Sequence, residues 1–185
     1  MSEPIRLALV GAGIFARDAH IPALNELRDR FEIVAVYSRT RATAEALLPL
    51  LPGEPDIYTD LSPLLQRPDV DAVDILLPIE ALPAAVDMAL ASGKHVVSEK
   101  PIAPDVASGR RLLATCHSHP QVWMVAENIR YTSAFRRAAE IVRSGEIGKL
   151  LMINWAVYGA LNPDNKYYQT AWRRSGTFPG GFLLD

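Results

Sequence analysis

One stretch near the start of the chain, residues 7–16 with the sequence LALVGAGIFA, constrains the fold more than any other. Its first four residues are apolar and rich in Leu and Val, which is typical of a buried strand. The run then breaks into Gly-x-Gly-x-x-Ala, and a helical pattern follows. Gly11 permits a tight turn, Gly13 lets a ligand approach the backbone, and Ala16 lets the helix pack closely on the strand. This order predicts a site for a dinucleotide pyrophosphate at the start of the helix, although such a turn can also merely connect two elements.

The overall composition is that of a globular protein and excludes several other classes. Of the 185 residues, 49% are hydrophobic and 22% are charged, and the formal net charge is −2. This balance gives no electrostatic footprint for nucleic acid and no basic cluster for an anionic membrane. No apolar run approaches the roughly 20 residues that span a bilayer, and the first residues lack the features of a signal peptide. We therefore expect a cytoplasmic protein with a small-molecule substrate and neither a nucleic-acid nor a membrane partner.

Cysteine and histidine usage predicts neither a disulfide framework nor a metal site. Cys116 is the only cysteine, and its surroundings are typical of a helix interior. Of the four histidines, His117 and His119 are close in sequence, but they are two residues apart. Two ligands on one face of a helix need a spacing of four.

Strand and helix patterns alternate along the first 125 residues. Strands are predicted at residues 5–10, 31–37, 56–59, 72–77, 95–98 and 122–125. Helices are predicted from the glycine turn to about residue 28, with an interruption at Pro22, and at residues 42–51, 61–66, 82–91 and 105–118. Because the connections are short and the two patterns alternate, the sequence predicts an α/β fold with a doubly wound parallel sheet.

The pattern changes after Asn128. A helix is predicted at residues 135–144 and a long strand at residues 150–158. We therefore divide the chain into a dinucleotide-binding domain, residues 1–128, and the beginning of a mostly antiparallel α+β domain, residues 129–185. A single long strand cannot bury both of its faces alone, so either the chain is incomplete or a partner completes the sheet.

The end of the second predicted strand favours NADP over NAD as the cofactor. It continues into Ser38-Arg39-Thr40-Arg41 and offers no carboxylate to the ribose hydroxyls of NAD. A hydroxyl beside a planar guanidinium suits the 2′-phosphate of NADP, because Arg donates two charge-assisted hydrogen bonds. The alternative is that Arg39 and Arg41 are solvated loop residues.

Two further candidates follow later strands at the same carboxyl edge, where ligands of such sheets lie. Pro78 ends the fourth predicted strand, where it either packs against a cofactor or only terminates the strand. Glu99, Lys100 and Pro101 end the fifth. A lysine in a partly dry cleft has a lowered pKa that suits proton transfer, whereas the alternative is an exposed lysine paired with Glu99.

Five motifs, taken in order, resemble the Gfo/Idh/MocA family of NAD(P)-dependent oxidoreductases. They are the glycine turn, Glu-Lys-Pro at residues 99–101, Ala-Glu-Asn-x-Arg-Tyr at 126–131, Gly-Glu-Ile-Gly at 145–148 and Gly-Gly-x-x-x-Asp at 180–185. The resemblance implies a Rossmann domain followed by an open-faced sheet domain that carries substrate specificity and forms homo-oligomer contacts. It also implies that Lys100 lies beside the nicotinamide and the substrate, and that Asp185 belongs to the same site. The histidine that many relatives have shortly after the position of Pro78 is missing here.

These observations together predict an NADP-dependent oxidoreductase acting on a carbonyl or hydroxyl carbon of a sugar-like substrate, with Lys100 and Asp185 as catalytic residues. The predicted cofactor-binding residues are Gly11, Gly13, Ile14, Phe15, Ala16, Ser38, Arg39, Pro78, Glu99, Lys100 and Pro101. The predicted substrate-binding residues are Asn128, Tyr131, Tyr168, Trp172 and Arg173. Two alternatives remain open at this point: a cofactor-sensing regulator of the same fold without catalysis, and a truncated, inactive relative.

Overall fold

The computed structural model describes residues 3–156, 158 and 162–174. Six parallel strands form one sheet in the order β3-β2-β1-β4-β5-β6. The strands are β1 Ile5–Val10, β2 Phe31–Tyr37, β3 Asp56–Tyr58, β4 Ala72–Ile75, β5 His95–Ser98 and β6 Trp123–Val125. The predicted doubly wound parallel sheet is confirmed, and all six strands lie where the sequence predicts them to within two residues.

Seven helices are present in the described residues. The first, α1, begins with a π-helical turn, Ala16–His20, and continues as an α-helix, Ile21–Glu26. The others are α2 Arg41–Glu45, α3 Leu61–Leu65, α4 Leu82–Ala91, α5 Val106–His117, α6 Ser133–Ser144 and α7 Ala171–Arg174. Short 3-10 turns lie at Leu48–Leu50 and Asn128–Tyr131.

Two prolines explain where the observed helices differ from the predicted ones. Pro22 does not interrupt α1, because the turn before it widens: the N–H of Ile21 donates to Ala16 O, five residues back. The predicted helix at residues 42–51 is wrong in its second half. It ends at Glu45, and Pro49, which has no N–H to donate, lies in a separate 3-10 turn.

Helices lie on both faces of the sheet, and the strand order reverses beside β1. The helices α3, α4 and α5 bury one face, and α1 and α2 bury the other over β1 and β2. Since β1 lies between β2 and β4, the chain leaves β1 and β4 toward opposite faces. A crevice therefore opens at the carboxyl ends of these strands, where ligands of doubly wound sheets bind.

On the α1 side, the sheet face formed by β4, β5 and β6 is open. A cavity of about 640 Å³ lies there, and we call it the apolar cavity. Met124 on β6 faces it and is 48% exposed. On the opposite face, the indole N–H of Trp123 donates to Ser98 Oγ at 2.9 Å. The two faces at this edge of the sheet thus differ in how well they are covered.

The predicted long strand at residues 150–158 is absent from the described residues of that segment. Residues 150–156 and Tyr158 form no strand, and the side chains of Leu151, Met152 and Ile153 are exposed. A strand needs a hydrogen-bonding partner, and the described residues after Tyr131 contain no other strand that could pair with this segment. The predicted antiparallel sheet is therefore not seen in the described part of the chain.

Candidate active site

A cleft of about 730 Å³ lies at the carboxyl edge of the sheet, where β1, β2, β4 and β5 end. Ten of the eleven residues predicted to bind the cofactor line it: Gly11, Gly13, Ile14, Phe15, Ala16, Ser38, Arg39, Pro78, Glu99 and Lys100. The eleventh, Pro101, follows Lys100 through a cis peptide bond. Residues that lie up to 89 positions apart in sequence thus meet in one cleft, as expected for the ends of neighbouring parallel strands.

The two glycines of the turn have different surroundings. Gly11 has a φ of +123°, and a Cβ there would lie 2.5 Å from Leu76 O at the end of β4. Only glycine fits such a position, because both the backbone conformation and the close neighbour exclude a side chain. A Cβ on Gly13, in contrast, would meet nothing within 4 Å. The turn therefore leaves an open space beside Gly13, which fits the approach of a phosphate group.

The end of β2 presents Arg39 to the cleft. Within the described part of the chain Arg39 forms no salt bridge, whereas Arg41 pairs with Glu45 at 2.9 Å. Thr40 and Thr43 line the cleft beside it. Sequence reasoning did not single out these two hydroxyl groups, although the first lies next to Arg39 in the predicted loop. The arrangement offers the Arg39 guanidinium and several hydroxyl groups to an anion.

Glu99 and Lys100 follow β5, and each is held in place by a hydrogen bond from its backbone N–H group. The N–H of Glu99 donates to Ile75 O at 3.0 Å, which continues the ladder with β4. The N–H of Lys100 donates to Glu99 Oε2 at 3.2 Å. The Lys100 side chain is half-buried in the cleft. The lysine is therefore held at the edge of the sheet by the strand before it and by its neighbour's carboxylate.

Glu99 belongs to a cluster of three ionisable side chains that the sequence analysis did not predict. His20 Nδ1 lies 2.7 Å from Asp74 Oδ2, and His20 Nε2 lies 3.0 Å from Glu99 Oε1. We call His20, Asp74 and Glu99 the histidine cluster. The signal for it was Asp74 in an otherwise apolar strand, because a buried carboxylate needs a partner.

The histidine cluster carries a protonated imidazole at neutral pH. Burial works against the charge on His20, but the hydrogen bonds to Asp74 and Glu99 outweigh it and raise the pKa of His20 to about 9. Burial also raises the pKa of Asp74, against the effect of the hydrogen bond from His20. A charged imidazole can donate from both ring nitrogens, which matches its two carboxylate partners.

A segment from the second half of the chain folds back over the glycine turn. The Tyr167 ring packs edge-on against Phe15 with 6.2 Å between ring centres, and Lys166 forms an ion pair with Asp18. Tyr167 and Thr170 line the cleft. These contacts add two hydroxyl groups that the sequence alone did not assign to the cofactor cleft.

Two of the predicted substrate-binding residues lie in the neighbouring cavity. Asn128 and Tyr131 line the apolar cavity, which meets the cleft at Phe15 and Glu99. Tyr168 is half-buried next to the cleft-lining Tyr167. The backbone of Trp172 and Arg173 belongs to α7, but their side chains, like the whole of Asp185, lie outside the described residues.

The described residues contain no group of three or more His, Cys, Asp or Glu side chains arranged to hold a metal ion. None of the helices seen in them has the length and apolar character required to cross a bilayer.

Comparison with known proteins identifies a family. Residues 5–127 match the GFO_IDH_MocA family model, described as an oxidoreductase family with an NAD-binding Rossmann fold. The chain is 40% identical over 192 aligned residues to the dehydrogenase FPY6 of Fusarium mangiferae, covering 98% of this chain and 54% of the relative.

Solved structures agree with this match. An oxidoreductase from Thermotoga maritima superimposes with a TM-score of 0.93 at 41% identity, over 98% of this chain and 56% of that one. KijD10, a 3-ketoreductase from Actinomadura kijaniata in complex with NADP and TDP-benzene, superimposes with a TM-score of 0.69 at 30% identity, over 77% of this chain and 43% of that one. The chain thus spans about half the length of the relatives that it matches.

Proposed function

Because the chain belongs to the Gfo/Idh/MocA oxidoreductase family, we propose that it binds NADP and takes part in the interconversion of a carbonyl and a hydroxyl group on a small, sugar-like substrate. One observation carries the proposal: the glycine turn, Arg39 and Lys100 all line a single cleft. A glycine turn alone can be a simple connection, and an arginine or lysine alone can be a solvated side chain. Their convergence at the switch point of the sheet favours a nucleotide site.

In the proposed binding mode, each part of NADP has its own region of the cleft. The turn at Gly11 and Gly13 offers backbone N–H groups and open space to the diphosphate. Ser38 and Arg39 suit the 2′-phosphate, because Arg39 has no salt bridge among the described residues. KijD10 was solved with NADP, which supports this choice over NAD. Pro78 and Pro101 would pack against the cofactor farther along the same edge.

Lys100 is the proposed proton donor and acceptor. When bound, the nicotinamide supplies or accepts the hydride. Lys100 would transfer the proton to or from the substrate oxygen, or stabilise the charge that develops on it. We assign Asp185 to the same site, as the group that orients Lys100. The protein's contribution is thus a positioned ammonium group at the edge of the cofactor cleft.

The rest of the proposal concerns the second part of the chain. We assign residues 1–128 to the dinucleotide-binding domain, and residues 129–185 to the start of a domain that binds substrate and forms a homo-oligomer. The proposed substrate-binding residues are Asn128, Tyr131, Tyr168, Trp172 and Arg173. A sugar-like substrate is supported by a relative from Actinomadura kijaniata, 32% identical over 149 residues, which is named dTDP-3,4-didehydro-2,6-dideoxy-alpha-D-glucose 3-reductase. We propose a cytoplasmic location.

Binding measurements test the cofactor assignment. We expect a lower Kd for NADPH than for NADH, measured side by side by nucleotide fluorescence. Arg39→Ala should raise the Kd for NADPH by roughly 10- to 100-fold, since it removes a charge-assisted hydrogen-bond pair, and should change that for NADH less than about twofold. The control Arg41→Ala, which removes a guanidinium already paired with Glu45, should leave both values nearly unchanged. Equal affinity of the unaltered protein for the two nucleotides would overturn the assignment.

Turnover measurements test the role of Lys100. With saturating NADPH and a panel of sugar carbonyls, Lys100→Met should lower kcat by about 100-fold or more, which is the usual contribution of a general acid or base. Lys149, which is exposed, gives the matched control Lys149→Met with normal turnover. Normal turnover in Lys100→Met would show that another group handles the proton.

A further inference from the structure

We propose that His20 is a positioning residue: it holds the Glu99 carboxylate, and through it the backbone N–H of Lys100, at the edge of the cofactor cleft. This inference rests on the proposed role of Lys100. His20 lies in α1, Asp74 on β4 and Glu99 at the end of β5. The histidine cluster therefore connects the helix that follows the glycine turn to β4 and β5, two of the strands that end at the cleft.

The geometry of the histidine cluster requires a proton in each of the two contacts that His20 makes. Both ring nitrogens of His20 face carboxylate oxygens at hydrogen-bonding distance, 2.7 Å to Asp74 and 3.0 Å to Glu99. A neutral imidazole donates from one nitrogen only, so its second nitrogen would face a carboxylate lone pair. A proton in each of the two contacts is needed to hold both carboxylates at once. The longer contact, to Glu99, is the one that we expect to open first.

Burial makes the cluster dependent on its histidine. The side chains of His20, Asp74 and Glu99 are only 16%, 5% and 13% exposed. Asp74 Oδ1 is already buried without a hydrogen-bond partner in the part of the chain that the structure describes. Without the imidazole, two carboxylates would remain next to each other with little solvent, which is unfavourable. Glu99 would then turn toward water.

Several other charged groups lie near His20. On its own helix, Arg17 pairs with Asp18 at 2.6 Å, and Asp18 also pairs with Lys166. Glu127, which lines the apolar cavity together with His20, Asp74 and Glu99, adds another carboxyl group. His20 contacts both Asp74 and Glu99 and supplies a cation to each.

Glu99 transmits the effect to Lys100 through its second oxygen. Oε1 contacts His20, and Oε2 accepts from the Lys100 N–H at 3.2 Å. One carboxylate thus joins the imidazole to the residue whose side chain enters the cleft. If Glu99 turned away, the Lys100 N–H would lose this acceptor, and the backbone that carries the lysine would be less constrained.

Nuclear magnetic resonance tests this linkage without any turnover. In the uniformly 15N-labelled protein, the amide resonance of Lys100 should shift with pH along the same curve as the imidazole nitrogens of His20. Glu99→Gln should remove most of the shift, because a neutral amide no longer responds as a carboxylate does. An unchanged Lys100 amide across the titration of His20 would overturn the proposal, and this measurement uses a protein with an intact cluster.

Kinetics then separate positioning from a purely structural role. His20→Gln should lower kcat by about tenfold while the KM for NADPH changes less than about twofold, because the glycine turn and Arg39 remain. His117→Gln, at an exposed position, is the matched control. A kcat equal to that of the unaltered protein in a folded His20→Gln variant would overturn the proposal.

The two proposals fail in different ways. A protein whose Lys100 amide follows His20, but which shows no turnover with any carbonyl, would support the His20 linkage and overturn the role of Lys100. A protein with turnover that depends on Lys100, and with a Lys100 amide indifferent to His20, would support the proposed function and overturn the positioning role. If His20→Gln does not fold, the titration of the unaltered protein still decides.

Discussion

Gly11 and Gly13 lie two residues apart in one turn, but different physical constraints act on them. Gly11 has a positive φ and lies against the Leu76 carbonyl, so the fold itself needs a glycine there. Gly13 has no neighbour within 4 Å of its missing Cβ and no unusual φ, so the fold would accept a methyl group. The motif thus combines one residue that the protein needs for folding with one that only a ligand would need.

Replacement of Gly11 should therefore affect stability. Gly11→Ala places a Cβ 2.5 Å from Leu76 O at an unfavourable φ, and we expect it to lower the free energy of unfolding by about 2–4 kcal/mol. Urea denaturation at constant pH measures the change. A loss below about 0.5 kcal/mol would mean that the ends of β1 and β4 separate more easily than the packing indicates.

Replacement of Gly13 should affect binding instead. Gly13→Ala should keep the free energy of unfolding within about 0.5 kcal/mol, because its methyl group enters open space. The same methyl group would occupy the space proposed for the phosphates, and the Kd for NADPH should rise at least tenfold. Unchanged affinity in a folded Gly13→Ala variant would contradict the placement of the diphosphate at this turn.

At the scale of single elements, α1 is attached to the sheet by a titratable contact. The pKa of His20 is raised from 6.5 to about 9 by its hydrogen bonds to Asp74 and Glu99, which outweigh the effect of burial. The folded protein therefore keeps a proton that the unfolded chain releases between these two pH values. Its contribution to stability is complete below pH 6.5 and is lost as the pH rises through about 9.

We expect the free energy of unfolding to fall by at most about 3 kcal/mol across this pH range, the equivalent of the shift in the pKa of His20. Urea denaturation at several pH values measures it. His20→Gln should remove this pH dependence, and His117→Gln should retain it. A flat profile for the unaltered protein between pH 6.5 and 9 would show that α1 is held mainly by its apolar contacts.

The elements also show what local sequence could and could not predict. The strands β1 to β6 were predictable because a buried parallel strand leaves a short run of β-branched and aliphatic residues. The segment at residues 150–158 has the same local signature, but its described residues, 150–156 and 158, form no strand, since pairing depends on distant residues that the signature does not contain. The π-helical turn before Pro22 was equally invisible, because it depends on which carbonyl the Ile21 N–H reaches.

For the whole molecule, the cofactor cleft was more predictable from the sequence than the histidine cluster beside it. A doubly wound topology brings the ends of distant strands together, so Gly11, Arg39 and Lys100 could be assigned to one edge from the order of elements alone. The histidine cluster could not, because a contact between His20 and Glu99 depends on the rotation of α1 about its axis. Sequence patterns fix such rotations only to within a face.

Nucleotide binding should stabilise the whole fold. At an NADPH concentration of about 100 times its Kd, the gain is about 2.7 kcal/mol, which corresponds to a rise in Tm of roughly 5–10 °C for a chain of this size. A thermal melt measures the rise, and NADH at the same concentration should give a smaller one. An unchanged Tm with saturating amounts of both nucleotides would contradict a dinucleotide site in the cleft.

The hydrogen bond between Trp123 and Ser98 has a practical consequence. Ser98 immediately precedes Glu99, so the indole lies one residue from the carboxylate that contacts both His20 and Lys100. The fluorescence of Trp123 should therefore respond to structural changes at this edge of the sheet. In a variant with Trp155 and Trp172 replaced by Phe, the remaining fluorescence would follow events at the end of β5 in real time.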